Sequence, residues 1–99
     1  MQFATVTYPS KDGARFDFDY YMKKHIPLVC DLLGTSIEVC KGTSATPDAL
    51  PAFVCVARIR IKSAEEFAAA MAKHGAQIIQ DISNYPNITP VIQIDQVLT

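Results

Sequence analysis

The most constraining feature of this chain is the segment from Ala52 to Ile61, which is apolar on both of its alternating faces. Successive side chains of a β-strand point to opposite faces of the sheet, so Phe53 and Cys55 fall on one face while Val54 and Val56 fall on the other. A strand that helices cover on one face only should alternate apolar and polar residues. The segment therefore predicts a sheet that is covered on both faces.

The remaining segments predict the order βαββαβ. The strand segments are rich in β-branched and aromatic residues, and the helical segments carry apolar residues three or four positions apart. Strands are predicted at 2–8, 35–41, 52–61 and 89–98, one helix at 17–33, and a second from 63 that is interrupted at Gly75 and resumes over 76–83. This order is typical of a ferredoxin-like α+β sandwich with a four-stranded antiparallel sheet and two helices on one face.

The ends of both helices carry sequence signals. Asp17 is placed to cap the first helix, and Gly34 is placed to stop it. Ser63 and Glu66 have the spacing of a capping box, which predicts the start of the second helix. His74 directly precedes Gly75 at an expected helix end, where the dipole favours an imidazolium, so we expect it to be structural.

No third helix is available for the second sheet face, so we predict that another copy of the chain covers it across a two-fold axis. The last strand agrees, because it is also apolar on both faces, with Ile92, Ile94 and Leu98 on one and Val91 and Val97 on the other. Arg58 and Arg60 share the face of Val54 and Val56, and we expect them to pair across strands with Glu38 or Asp95.

Composition excludes several classes of function. The chain has 99 residues, which is one domain, and a net charge of −1 with scattered basic residues, which argues against nucleic acid. No segment reaches the ~18 apolar residues of a membrane span, and the start does not resemble a signal peptide, so a cytoplasmic protein is expected. Cys30, Cys40 and Cys55 lack metal-ligand spacing, so we expect free thiols and no metal. No phosphate-binding glycine motif and no flavin or haem signal is present, so no cofactor is expected.

His25 is the main candidate for chemistry. It is the only titratable group in the middle of an apolar helical stripe, and Pro27 should kink the helix beside it. That stripe comprises Phe18, Tyr21, His25, Leu28 and Leu32. An imidazole with a pKa near ~6.5 can accept a proton at neutral pH. His25 is therefore either a packing residue or a catalytic base that faces a cavity between this helix and the sheet.

Tyr8 and Tyr21 are candidate substrate-binding residues, because a tyrosine hydroxyl can orient a bound phenol or carbonyl. The alternative is that they are amphipathic wall residues whose hydroxyls find backbone partners. Tyr20 is rotated by about 100° from Tyr21 on a helix, so we expect it to be half exposed. Asp17 and Asp19 are explained by capping and by the helix dipole.

The region from Tyr8 to Val29 resembles the signature of the EthD-like family, which is named for ethyl tert-butyl ether degradation. The resemblance is carried by Tyr8-Pro9, Phe16-Asp17-Phe18-Asp19-Tyr20-Tyr21 and Lys24-His25-Ile26-Pro27-Leu28-Val29, with weaker support from Pro90-Val91-Ile92-Gln93-Ile94. It implies that residues 1–99 form a single EthD-like domain, that two copies pair into a dimeric α/β barrel, and that His25 occupies the position of a pocket histidine.

Three hypotheses for the function follow from this resemblance. Related barrels include cofactor-free monooxygenases, lactone isomerases and polyketide cyclases. The first hypothesis is therefore an enzyme that acts on a small apolar or aromatic compound in a degradative or secondary-metabolic pathway. In this hypothesis His25 is the general base. The second hypothesis is a non-catalytic accessory or ligand-binding protein that supports a degradation system. The third is a ligand-sensing regulatory domain, although such modules are usually fused to another domain.

Overall fold

The computed structural model describes residues 1–99 and has the predicted element order. Its strands are β1 (Gln2–Pro9), β2 (Ile37–Lys41), β3 (Phe53–Ile61) and β4 (Val91–Gln96). The first helical region consists of α1 (Phe18–Tyr20), a π-helical turn (Tyr21–His25) and α2 (Ile26–Leu33), and the second is α3 (Ala64–Ile82). None of these helices combines the length and hydropathy needed to cross a bilayer.

The four strands form one antiparallel sheet in the order β2-β3-β1-β4. The central strands β1 and β3 pair along their whole length, from Gln2 opposite Ile61 to Pro9 opposite Phe53. Gly42 follows β2, and a side chain there would overlap the carbonyl oxygen of Phe53, so only glycine fits this close approach. The predicted ferredoxin-like α+β fold is confirmed.

The predicted helix ends are also confirmed. The Asp17 carboxylate accepts the Tyr20 N–H at 3.0 Å, and the Ser63 hydroxyl accepts the Glu66 N–H at 3.1 Å. Gly34 is left-handed at φ 63° and donates its N–H to the Cys30 carbonyl at 2.8 Å. These local contacts satisfy backbone groups that a helix end otherwise leaves without partners.

The expected interruption of the second helix at Gly75 is wrong. α3 runs without a break from Ala64 to Ile82, and His74 lies half-buried in its middle rather than at an end. Gly75 is buried, and the side chain of Met71 lies over the space that a Cβ would occupy. Glycine costs a helix interior about 1 kcal/mol relative to alanine, which the packing of the inner face of α3 outweighs.

The distortion predicted beside Pro27 takes the form of a wide turn. The Ile26 N–H donates to the Tyr21 carbonyl, five residues back, and Pro27 lies in the first turn of α2, where no N–H is required. The extra residue shifts the inner face of the helix by one position. As a result Val29 is fully buried, whereas the predicted stripe residue Leu28 is only half-buried.

The helices cover one face of the sheet and leave the other open. Two core clusters lie on the covered face, one around Tyr8 and Cys55 and the other around Ala4 and Ile59. On the open face Arg58 pairs with Glu38 at 3.4 Å, as predicted, and also stacks on the Phe3 ring at 4.2 Å. Asp95 on this face accepts a hydrogen bond from the Thr5 hydroxyl.

The three cysteines are unpaired, as expected. Cys40 lies opposite Val56 in the register of β2 and β3, so it points to the open face of the sheet. Cys55 is fully buried on the covered face, within the first core cluster. The two thiols thus lie on opposite faces of the sheet.

Candidate active site

A cavity of about 600 Å³ lies between the helices and the covered face of the sheet. Both core clusters contribute to its wall, Tyr8 and Ala57 from the first and Val29 and Ile59 from the second. Ile79 of α3 and Ile92 of β4 also line it and are exposed to solvent. The mouth of the cavity is therefore between the end of α3 and β4.

His25 lies in the wall of this cavity and is only 4% exposed. Its Nδ1 atom is 2.9 Å from Oδ2 of Asp81, near the end of α3. Its Nε2 atom has no hydrogen-bond partner in the chain and is not fully shielded from solvent. One ring nitrogen of His25 is thus held by the protein, and the other is available to a molecule in the cavity.

The electrostatics of the pair determine which form each group takes. Burial lowers the pKa of His25 below its ordinary value, and the hydrogen bond to Asp81 offsets only part of that effect. Burial would raise the pKa of Asp81, but hydrogen bonds from Tyr20, His25 and Asn84 outweigh it and lower the pKa. At neutral pH the site therefore contains a carboxylate and a neutral imidazole, with the proton on Nδ1 and a lone pair on Nε2.

Sequence reasoning missed Asp81. Because a break was expected at Gly75, residues 76–83 were not assigned to the same helical face as residues 63–74. In the structure Asp81 follows the buried Ile78 by three positions and lies on the face of α3 that is turned to the core. A titratable residue on an apolar stripe is the same signal that identified His25. Applied to an unbroken α3, that signal would have identified Asp81 as well.

Tyr8 and Tyr21, the predicted substrate-binding residues, both line the cavity with His25. The Tyr21 ring stacks on the His25 ring at 5.5 Å, and the Tyr8 hydroxyl lies 2.7 Å from the hydroxyl of Tyr85. Burial raises the pKa of all three phenols, so they remain protonated at neutral pH. Each hydroxyl therefore keeps a proton to donate.

Tyr85 was also missed by sequence reasoning, which assigned residues 84–87 only to a turn. It is buried, and its ring centroid lies 4.6 Å from that of His25. Its carbonyl accepts the Asp17 N–H at 2.8 Å, which ties the turn after α3 to the start of α1. Nothing in the local sequence distinguishes this tyrosine from a turn residue exposed to solvent.

Asp17 and Asp19 take no part in the site. Asp17 caps α1, as predicted, and Asp19 lies 4.0 Å from Lys23 on the exposed side of the helix. Tyr20 is half-buried, as expected, but its hydroxyl donates to Oδ1 of Asp81 at 2.6 Å. It therefore contributes to the surroundings of His25 from outside the cavity.

These features define a class of protein: a ferredoxin-like α+β sandwich with a buried histidine, paired with a carboxylate, in the wall of an apolar cavity that opens to solvent. An EthD-like protein of known structure from Ralstonia eutropha JMP134 is 43% identical to this chain, with a TM-score of 0.92 and coverage of 99% of this chain and 92% of its own. The chain belongs to the EthD-like family.

Two more distant structures share the fold. A protein of the ethyl tert-butyl ether degradation family from Bacillus halodurans C-125 is 18% identical, with a TM-score of 0.74 and coverage of 99% of both chains. HapK from Hahella chejuensis is 19% identical, with a TM-score of 0.60 and coverage of 99% of this chain and 93% of its own. No protein-family model and no curated protein matches the chain.

Proposed function

We propose that this chain is an enzyme in which His25 is the general base that removes a proton from a small, uncharged apolar or aromatic compound. The observation that carries the proposal is the position of His25 in the cavity wall, with Nδ1 2.9 Å from Oδ2 of Asp81 and no hydrogen-bond partner for Nε2 within the chain. Proton removal begins isomerisations, cyclisations and cofactor-independent oxygenations, the reactions that we expect for this chain. A positioned base contributes about 10²- to 10⁴-fold to such a step.

The lining of the cavity supports an uncharged substrate. No lysine or arginine is among the lining residues, and the ionised Asp81 lies directly behind His25. An anion would meet this negative charge without a compensating cation, and an ammonium group would have no carboxylate within the cavity itself. A volume of about 600 Å³ lies within the usual range of small-molecule sites.

The proposed step transfers one proton and leaves one bond pair on the substrate. The Nε2 lone pair of His25 forms an N–H bond while the substrate C–H or O–H bond breaks, and its electrons remain on the carbanion or phenolate. The resulting imidazolium is stabilised by Asp81, 2.9 Å from Nδ1. The hydroxyls of Tyr8 and Tyr21 are proposed to bind the substrate oxygen on which negative charge develops.

The test uses 2-tetralone, an uncharged apolar carbon acid, and follows deuterium incorporation from D₂O by NMR. We expect the parent protein to accelerate exchange and His25→Phe, which keeps a flat ring, to lose at least about 100-fold of that acceleration. His74→Phe is the matched control, because His74 lies on α3 and does not line the cavity. Equal exchange by the parent and His25→Phe would instead favour the non-catalytic ligand-binding protein.

We also propose that two copies pair through the open face of the sheet, and that the protein is cytoplasmic. Val56 is half-buried and lies on the face of β3 opposite the buried Cys55 and Ala57, and the free thiols fit a reducing compartment. Sedimentation at micromolar concentration should give a dimer, and Val56→Asp should give a monomer. Met22→Asp, a control at an exposed apolar residue of the first helical region that does not line the cavity, should leave the dimer intact. A monomeric parent would contradict the pairing.

A further inference from the structure

The carboxylate behind His25 has more partners than the imidazole alone requires. Oδ2 of Asp81 serves His25, while Oδ1 accepts the Tyr20 hydroxyl at 2.6 Å and the Asn84 side-chain amide at 3.0 Å. The same amide lies 3.2 Å from the Tyr20 hydroxyl. We call these three residues, Tyr20, Asp81 and Asn84, the carboxylate clamp. They come from α1, from α3 and from the turn after α3. Oδ1 of Asp81, the Tyr20 hydroxyl and the Asn84 amide each contact the other two.

None of the clamp residues lines the cavity, so any effect that they have on a bound molecule must pass through His25. The Asp81 side chain is only 16% exposed, and hydrogen bonds in such a position compete with few water molecules. A carboxylate that is held at both oxygens cannot rotate about its Cβ–Cγ bond. Its Oδ2 atom therefore stays directed at Nδ1 of His25.

We propose that Tyr20 and Asn84 are positioning residues that act on His25 through Asp81, fixing the carboxylate so that the imidazole keeps its proton on Nδ1 and its lone pair on Nε2. The catalytic meaning of this arrangement rests on the function proposed above. A purely structural role, in which the clamp only ties α1 to α3, predicts a loss of stability on mutation and no change in the protonation of His25.

Asp81 is the only ionised group that faces His25. The other titratable groups packed around the imidazole are Tyr21, on the same helix, Tyr85, after α3, and Tyr8, on β1 beyond Tyr21. Burial raises the pKa of each of these phenols, so they are uncharged in the range over which a histidine titrates. The tautomer and titration of His25 therefore report on Asp81 and on the groups that hold it.

The decisive variant is Asp81→Asn, because an amide has only one oxygen. The clamp offers two donors at the Oδ1 position, from Tyr20 and Asn84, so the new amide oxygen should stay there and its NH₂ group should face His25. Nδ1 must then accept a hydrogen bond, so the proton moves to Nε2. In the double variant Asp81→Asn with Tyr20→Phe the hold on the amide oxygen weakens, and we expect Nδ1–H to return in part.

The measurement is ¹⁵N NMR of the imidazole nitrogens in the folded protein without any ligand. We expect Nδ1–H in the parent, Nε2–H in Asp81→Asn, and a mixture in the double variant. The single variant Tyr20→Phe should keep Nδ1–H but raise the pKa of His25 by about half a unit, because the carboxylate loses a donor that shares its charge. Asp19→Asn, which removes an exposed carboxylate from α1, is the control and should change neither quantity.

An Nδ1–H tautomer in Asp81→Asn would overturn the proposal, and so would a double variant identical to the single one. If Asp81→Asn does not fold, the titration of Tyr20→Phe decides: the rise in pKa supports the clamp, and an unchanged pKa overturns it. These spectra are recorded without substrate. A failure of the clamp is therefore distinguishable from a failure of His25 to catalyse proton exchange.

Discussion

Filling the cavity should stabilise the protein and abolish ligand binding at the same time. Ala57 is in the middle of β3, is buried on the covered face, and lines the cavity. Ala57→Leu adds three carbon atoms next to about 600 Å³ of free space, so neighbouring side chains need not move. At about 0.8 kcal/mol for each buried CH₂ group, the free energy of unfolding should rise by up to about 2.4 kcal/mol.

Ala4→Leu is the matched control for this experiment. Ala4 is completely buried on the same face of the sheet, in β1, but it is packed in the second core cluster and does not line the cavity. The same three carbon atoms have no space there, and overpacking a core costs about 1–3 kcal/mol. The two variants carry the same chemical change, so the difference between their free energies of unfolding reports whether there is free space beside Ala57.

The assay combines urea unfolding, followed by circular dichroism, with fluorescence binding of 1-naphthol, a small aromatic compound that is uncharged at neutral pH. The unfolding midpoint should rise for Ala57→Leu and fall for Ala4→Leu, and naphthol binding should be lost only in Ala57→Leu. The reasoning is refuted if Ala57→Leu is destabilised as much as Ala4→Leu and still binds naphthol, since Ala57 would then face a packed core.

Three further predictions concern individual residues. Burial lowers the pKa of His25, so below pH ~6.5 the unfolded chain binds a proton more readily than the folded protein does. The free energy of unfolding should therefore decrease as the pH is lowered through this range, and it should decrease less in His25→Phe. Cys55 is buried, which raises its pKa to about 11, so a thiol reagent should label this thiol only after the protein unfolds. Pro27→Ala should restore a regular α-helix and move His25 away from Asp81, so the fraction of the Nε2–H tautomer in ¹⁵N spectra should increase. An unchanged tautomer would show that the wide turn does not position His25.

The fold was predictable because its signals are local. Capping residues such as Asp17 and Ser63 bind backbone groups within three positions. In β3 the alternation of side chains identifies a strand directly from the sequence. The errors occurred where tertiary packing outweighs a local preference. Gly75 weakens a helix by itself, but in α3 it packs against other residues of the inner face, and the propensity no longer decides.

The site was predictable only in part, because its two halves are far apart in sequence. His25 and Tyr21 lie on one helix, and the spacing of the stripe places them together. Asp81 lies 56 positions further along, and only the packing of α3 against the first helical region brings its carboxylate to His25. No spacing rule relates residues on two different helices, so an approach from sequence can nominate each residue but cannot pair them.

Two features that cost stability occur together at this site. The wide turn at Tyr21–His25 replaces regular helical hydrogen bonds, and Pro27 makes the regular form unfavourable, because in an α-helix its ring would crowd the Lys23 carbonyl. The cavity beside it leaves apolar side chains without packing partners, which lowers the free energy of unfolding. Ala57→Leu should restore part of this free energy. Asp81, in contrast, lies on the unbroken α3 and is held at both oxygens. A distorted helix that carries the imidazole, opposite a continuous helix that carries its carboxylate, is the arrangement expected if packing is given up for ligand access, as the proposed function requires.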